Sequence, residues 1–542
     1  MKVYEALAHA LTDIGVKQLF GLIGDGNLFM VDSYLRDRKG KYIGAVHEAG
    51  AVLMALGYAR VSEEIGVATV THGPALTNTM TALVEGVKTA TPMVLLAGDT
   101  SVDDREHAQK IDQRAFVEAT GAGFELMRSP QTLTEDLVRA FYRAKVERRP
   151  VVFNMPIEFQ WLEVDYVKAA LRFPETRSVI AASTDMDNAI GIIASSHKPV
   201  IVGGRDARAP DVQAAILRLA ERIGAPVATS VRGKGLFASD PFNLGLCGTV
   251  SNPVALEAIG GADCLIVFGA SLNKFTGGLG GLTKGKRIIQ INPEVSQIGR
   301  FTPVDAGLVG DPGLTADAMV KWLDEAEIPS SGYRSDDLLQ KLKALRSTPP
   351  RLKRASAAGT VDLFELLGAV NQALPKDRVY VTDTGRFLFG AWPLIQVQNP
   401  RDYVDTIGFA SIGLGVGAAI GAAAAAGGRT TLLVAGDGGF MLGGVSELAT
   451  MAREQLDVVI VVCNDSSYGA EYIQYAGRNM DAGTSMHRWP EFAPIAAAFG
   501  FESLTVRSSE ELKAAMAALA KRDKKRPFFI DAKLDAAALP HP

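Results

Sequence analysis

Short, uninterrupted apolar runs rich in β-branched residues recur along this chain, each closed by Gly, Pro, Asn, Asp or His. VATVTH (from Val67), PMVLLAGD (from Pro92) and PVVFNMP (from Pro150) lie in the first third. KPVIVGG, APVATS, DCLIVFGAS and KRIIQINP follow between Lys198 and Pro293, and TTLLVA (Thr430 to Ala435) and VVIVVC (Val458 to Cys463) lie near the C-terminus. A strand apolar at every position is one buried on both faces, as in a parallel sheet. The segments between the runs have helical spacing, so the pattern predicts alternating strands and helices. At 542 residues the chain exceeds a single core. The expected fold is α/β, with three doubly wound parallel-sheet domains over 1–165, 185–325 and 359–542. The polar stretches 168–184 and 327–360 read as connections. The first and third sets are similar in length and style without a sequence-level repeat.

One βαβ unit carries a chemical signal. In GDGGFMLGGVSELATMAREQLDVVIVVCND, Gly436 to Asp465, five glycines fall within the first nine residues, and a helix is expected over VSELATMAREQ. Ligands of such units bind at the carboxyl ends of the strands, where Asp437 and Asn464 each follow a strand's last apolar residues. Gly436, Gly438 and Gly439 let a ligand lie against backbone amides, as a phosphate does at a helix N-terminus. A phosphate beside Asp437 needs a cation between them. Mg²⁺ prefers about six oxygens and takes one or two from protein carboxylates or amides, with the rest from phosphate and water. Asp437, the amide oxygen of Asn464 and the Ser466 carbonyl supply such a share. The alternative is that the glycines make tight turns and Asp437 caps the next helix.

Charge and composition narrow the class. A net charge of -4 and a pI near 6.1 give no electrostatic case for nucleic acid or an anionic membrane. Cys247, Cys264 and Cys463 are widely spaced in apolar or Gly-rich surroundings, which reads as buried thiols in a reducing compartment. No apolar run is long enough to span a bilayer, and MKVYEALAHALTDIG is an amphipathic helix without a signal-type core, so a cytoplasmic protein is expected.

The GDG of Gly436-Asp437-Gly438 followed by Asn464 resembles the signature of the thiamine diphosphate enzymes, and the domain order resembles their pyruvate decarboxylase and acetohydroxyacid synthase group. The resemblance implies a pyrimidine-binding, a central and a diphosphate-binding domain. It also implies thiamine diphosphate with Mg²⁺ and a homodimer or homotetramer with the cofactor at the subunit interface. In that chemistry the cofactor's aminopyrimidine becomes a base only when a carboxyl group holds its ring nitrogen. Glu48, at the end of a strand in YIGAVHEAGAVLMALGYAR, matches that group; from local sequence alone it is equally a helix N-terminal charge. GFASIGLGVGAAIG matches the segment that bends the cofactor, with Ile412 as the wedge and the Ala410 carbonyl as partner of the 4'-amino group. GLGVG within it reads as close backbone packing. VTDTGR matches the loop over the pyrimidine, with Thr384 and Gly385 near the ring.

The substrate side is a small-molecule carbonyl compound. THGPALTN resembles the TSGPGATN loop of acetohydroxyacid synthases, with His72 for Ser, and AQKID corresponds to FQEVD, keeping Gln109. Tyr468 and Glu471 in NDSSYGAEY, with His487-Arg488-Trp489, complete the candidates; Gln113 and His107 read as surface or domain contacts. GASLNKFTGG (Gly269 to Gly278) lacks the arginines that the resembling GARFDDRVTG segment uses, which argues against FAD. The adjacent histidine pair of yeast-type pyruvate decarboxylases is missing too. The reading is a decarboxylase/carboligase of 2-oxo acids, acetolactate synthase-like. The alternatives are a 2-hydroxyacyl lyase, a cyclic diketone hydrolase, a sulfoacetaldehyde acetyltransferase or, last, a non-enzymatic binding module.

Overall fold

A computed structural model describes residues 1–173, 179–181, 183–347 and 357–540. Their strands form three six-stranded parallel sheets flanked by helices. In the first, the spatial order is Lys41–Gly44, Gln18–Gly21, Gly66–Val70, Met93–Asp99, Pro150–Pro156, Gly123–Leu126. In the third it is Tyr403–Asp405, Val379–Thr382, Thr431–Gly436, Val458–Asn464, Phe528–Lys533, Glu502–Val506. Numbered by chain order within each domain, both sheets read 2-1-3-4-6-5. The central sheet reads 6-5-4-1-2-3, from Ala306–Val309 through Cys264–Phe268 and Pro199–Gly203 to Asn243–Leu246.

The chain forms two compact units: one joins Met1–Pro174, Ala355–Leu388 and Val404–Leu539, and the other holds Glu175–Arg354 with Phe389–Tyr403. The first and third sheets therefore share a body. Its main internal contact is between helices Glu48–Ser62 and Gly415–Ala425, whose small residues allow backbone against backbone. Gly57 lies on the Ala418 backbone, Gly421 on the Met54 carbonyl, and a Cβ on Gly417 would meet Leu53 Cβ at 2.8 Å. One apolar cluster accordingly runs from Phe20 and Val70 to Val381 and Val462. Close packing is the role expected of GLGVG.

In the other unit, the stretch 327–360 is more than a connection. Asp336–Ser347 is a helix whose Leu338 and Leu342, one turn apart, are buried in the central core, and Tyr333 Oη donates to the Ala258 carbonyl at 2.7 Å. Its many charges occupy the solvent face, which masked the apolar stripe. Residues 348–356 of that stretch, and 174–178 and 182 of the other connection, lie outside the described residues. No helix among the described residues is long and apolar enough to cross a membrane. All three cysteines are buried, and burial pushes the Cys247 and Cys264 thiols up to about 12.

Candidate active site

Strands Thr431–Gly436 and Val458–Asn464 pair in parallel with Gly436 opposite Cys463. One residue further on, Asp437 and Asn464 stand side by side at the carboxyl edge, both buried. Asp437 Oδ1 accepts the Gly438 N–H and Oδ2 accepts Trp489 Nε1–H, each at 2.9 Å. Asn464 Nδ2 donates to Asp531 Oδ1 at 2.9 Å. An amide whose NH₂ is taken by a carboxylate has its oxygen set by the same bond. That oxygen, Oδ1, accepts from the Ser466 N–H at 3.2 Å within the turn that leaves the strand. Ser466 is left-handed, φ +56°, and its carbonyl accepts the His487 N–H at 2.8 Å, which leaves a second lone pair on that oxygen.

Two buried carboxyls meet here. Burial, and then the charge of Asp465, pushes Asp437 up to about 7; burial pushes Asp465 up to about 6. A divalent cation would remove this penalty by favouring both charged forms. The donors are all oxygens, which suits Mg²⁺. Among the described residues no cluster of three or more His, Cys, Asp or Glu would hold a metal unaided, so a cation at Asp437 and Asn464 would draw further oxygens from a bound diphosphate. The fit extends to the glycines: a Cβ on Gly438 would lie 2.6 Å from the Tyr468 ring, and one on Gly439 2.6 Å from Asp383 Oδ2. The helix that follows differs from expectation. It runs Asp437–Gly443, breaks, and resumes at Leu448–Arg453, because Gly443 and Gly444 give the turn little helix propensity.

Asp383, passed over in VTDTGR in favour of its neighbours, organises the adjoining loop. Wholly buried, it accepts the Gly413 N–H at 3.0 Å and the Leu414 N–H at 3.3 Å, and burial pushes its carboxyl up to about 6. Thr384 Oγ1 donates to the Thr406 carbonyl at 3.0 Å, and a Cβ on Gly385 would meet the Phe387 ring at 2.6 Å. Ala410 is exposed and left-handed, φ +60°. Ile412 is half-buried and is not among the residues of the apolar cluster that joins the first and third sheets.

The first sheet presents proton-handling groups at its own carboxyl edge. Glu48 opens its helix with His47 as N-cap, and Glu48 Oε2 accepts Asn78 Nδ2–H at 3.0 Å. Buried Glu447, from the third domain, accepts the Val46 and His47 N–H groups at 3.0 and 3.1 Å and so fixes the turn before Glu48. His72 is wholly buried; its Nδ1 lies 3.0 Å from Thr71 Oγ1 and 3.6 Å from Asp25 Oδ1, and its Nε2 has no partner among the described residues. Burial holds the imidazole below its ordinary value, opposed by Asp25 and reinforced by His107. The His107 ring lies 5.1 Å from that of His72, so His107 is no mere surface residue. Gln109 packs its backbone on the Gly73 turn. Gln113 is buried, accepting the Gly73 N–H and donating to the Gly98 carbonyl, both at 2.8 Å, which excludes the surface alternative of its reading as a surface or domain contact.

Glu471 lies in the first turn of Gly469–Ala476, a helix with no buried residue. His487 stacks on Trp489 at 4.7 Å and meets the Tyr468 ring edge-on at 4.4 Å. Asp25, Asp383, Glu447 and the Trp489–Asp437 bond were missed from sequence; only Asp25, in a second GDG at Gly24-Asp25-Gly26, carried a visible signal.

A fold with two sheets of one topology, one edged by an acidic oxygen-donor site and the other by Glu48 and His72, is that of a thiamine diphosphate enzyme. Comparison with known families agrees. Residues 1–116 match the thiamine pyrophosphate enzyme N-terminal TPP binding domain, 186–319 the central domain and 383–532 the C-terminal TPP binding domain. The chain belongs to the thiamine pyrophosphate enzyme family. It is 28% identical to a probable acetolactate synthase large subunit of Methanocaldococcus jannaschii, over 100% of this chain and 93% of the relative. It is 29% identical to a probable 2-ketoarginine decarboxylase of Pseudomonas aeruginosa and 26% identical to a sulfoacetaldehyde acetyltransferase of Castellaniella defragrans, each over 94% of this chain and 89% of the relative. It is an enzyme of C–C bond chemistry, similar to acetolactate synthases.

Proposed function

We propose that the protein decarboxylates a 2-oxo acid with thiamine diphosphate and Mg²⁺, and releases the product chiefly by protonation, with joining to a second carbonyl compound as the competing outcome. The observation that carries this reading is the grouping of His72, Asp25 and His107 at one strand edge. Bound cofactor supplies the electron sink that lets CO₂ leave. Asp437, Asn464 Oδ1 and the Ser466 carbonyl would hold Mg²⁺, and Gly436, Gly438, Gly439 and Tyr468 would line the diphosphate. Glu48 would hold the pyrimidine nitrogen, with Thr384 and Gly385 beside the ring, Ile412 beneath it and the Ala410 carbonyl on the 4'-amino group. The resemblance of the whole chain to subunit-bridging enzymes supports a homodimer or homotetramer in which Glu48 of one subunit serves the diphosphate domain of another. GASLNKFTGG supports activity without FAD.

His72, neutral at pH 7, has one nitrogen near Thr71 and Asp25 and the other unpartnered. Such a group relays a proton when a carbonyl-derived carbon needs one. Gln109 and Glu471 would orient the substrate. The names of the relatives support joining to an acceptor as the second reading. Single-turnover quench with 2-oxo acids separates the two. For protonation, His72→Gln should leave CO₂ release near parental and slow aldehyde release by about 10²-fold. For joining, it should shift products towards aldehyde. Parental rates and product ratios in His72→Gln and His107→Ala together would refute the assignment of this cluster.

A further inference from the structure

The turn that carries Ala410 is gripped from the first domain. It follows strand Tyr403–Asp405, and Arg60 of helix Glu48–Ser62 pairs with Asp405 at 3.2 Å, both side chains buried. Three residues on, a second first-domain side chain takes hold. Glu85, in helix Met80–Lys88 and 3% exposed, accepts the Gly408 N–H on Oε1 at 3.0 Å and the Phe409 N–H on Oε2 at 2.6 Å. A Cβ on Gly408 would lie 2.7 Å from Thr89 Cγ2 and 3.0 and 3.1 Å from the Glu85 oxygens, so the fit leaves little slack. The next residue is Ala410, left-handed at φ +60°. A residue with a Cβ keeps that conformation only where its surroundings over-determine it. Ala410 and Phe409 are both exposed, so packing does not do so. Paired amides on a buried carboxylate do.

We propose that Glu85 is a positioning residue for the cofactor: by clamping the Gly408 and Phe409 amides it holds the left-handed turn at Ala410 and thereby aims the Ala410 carbonyl at the 4'-amino group of the aminopyrimidine. The proposal rests on the reading of Ala410 given above. Each Glu85 oxygen serves one amide. Glutamine keeps one acceptor and turns an NH₂ donor on the other amide, which opens the clamp without changing side-chain size. Glycine at 410 adopts the left-handed turn freely, so it should make the clamp dispensable.

The test uses the full-length protein as parent, Glu85→Gln, Ala410→Gly and the double variant. Calorimetry with Mg²⁺ gives the affinities for thiamine diphosphate and for its analogue lacking the 4'-amino group. Their ratio reads the 4'-amino contact, since the diphosphate contribution is common to both. The parent should prefer the amino form. Glu85→Gln should lose about tenfold of that preference, the size of one hydrogen bond, and Ala410→Gly should restore most of it in the double variant. Glu85→Asp, which keeps two acceptors on a shorter arm, should lie between, and it stands in should Glu85→Gln fold poorly. A parent without preference refutes the Ala410 reading and the clamp with it. A parent with preference that Glu85→Gln and Glu85→Asp retain refutes the clamp alone. So does a loss that Ala410→Gly leaves uncorrected.

Discussion

The first and third sheets share the strand order 2-1-3-4-6-5, yet equivalent positions at their carboxyl edges carry opposite kinds of chemistry. After the third strand, the first sheet has Thr71-His72-Gly73 and the third has Asp437-Gly438-Gly439. After the second strand, the first sheet offers the Glu48 carboxylate and the third a left-handed backbone turn at Ala410. After the fourth, the first has Asp99, which accepts Asn154 Nδ2–H at 2.6 Å, and the third has Asn464 with Asp465. One architecture has thus been edged twice. The third sheet buries acidic oxygens beside close-packed glycines, as the proposed metal and diphosphate would require. The first keeps Glu48 half-buried and Asp25 exposed beside a buried imidazole, as the proposed proton transfer would require. The helices after the two second strands pack on each other, so the edges are held in one body through Gly57, Gly417 and Gly421.

The sharpest break in this comparison is Asp437→Ala. If the third edge is the metal edge, saturable binding of Mg²⁺ and thiamine diphosphate should vanish from calorimetry. The apo variant should fold at least as well as the parent, because a buried carboxyl that resists ionisation has gone. Trp489→Phe keeps the carboxylate but frees its Oδ2, and should weaken Mg²⁺ binding by about tenfold. Parental affinity in Asp437→Ala would remove the metal from this edge.

Glu48→Gln addresses the other sheet. Cofactor affinity should stay within about threefold, as the amide keeps one hydrogen bond to the ring nitrogen. Deuterium exchange at the cofactor's C2, followed by NMR, should slow by about 10²- to 10⁴-fold. Loss of affinity with unaltered exchange would reverse the roles assigned to the two edges.

How far this division was legible in the sequence depends on its range. The GDG unit and Asn464 could be read because a parallel βαβ repeat fixes which residues leave neighbouring strands together. Glu48 was readable as a carboxylate at a strand end. Contacts that join distant segments were not. Trp489 reaches Asp437 from a polar loop 52 residues away, and His107 meets His72 across a domain loop. Asp383 was overlooked because a strand-end Asp is commonly a turn former, and only the fold shows it buried under Gly413 and Gly439. The shared strand order lay in topology and left no repeated residues. The helix Asp336–Ser347 was hidden by its charged face.

The mildest prediction sharpens the contrast through protons. Asp437, raised to about 7, and Asp465, raised to about 6, hold protons in the folded apo protein over a range where the unfolded chain, with carboxyls near 3.8, has lost them. The folded state binds more protons in that window, so this pair's contribution to stability is full below about pH 4 and is lost as pH rises through 6 and 7. Metal binding needs the charged forms and must release those protons. Mg²⁺ affinity in the presence of cofactor should therefore be about tenfold weaker at pH 6 than at pH 8, as an acid of pKa near 7 is mostly protonated at the lower value. Apo melting temperature should fall over the same interval while the Mg²⁺-loaded protein gains. His72 has the opposite sign: its lowered value means that protonation favours the unfolded chain, so its contribution falls as pH drops below about 6.5. His72→Gln should remove the loss of apo stability below about pH 6.5 and leave the Mg²⁺ titration unmoved, whereas Asp437→Asn should abolish Mg²⁺ binding and flatten the fall of apo stability between about pH 4 and 7. A Mg²⁺ titration displaced in His72→Gln would mean that the two sheets titrate as one site.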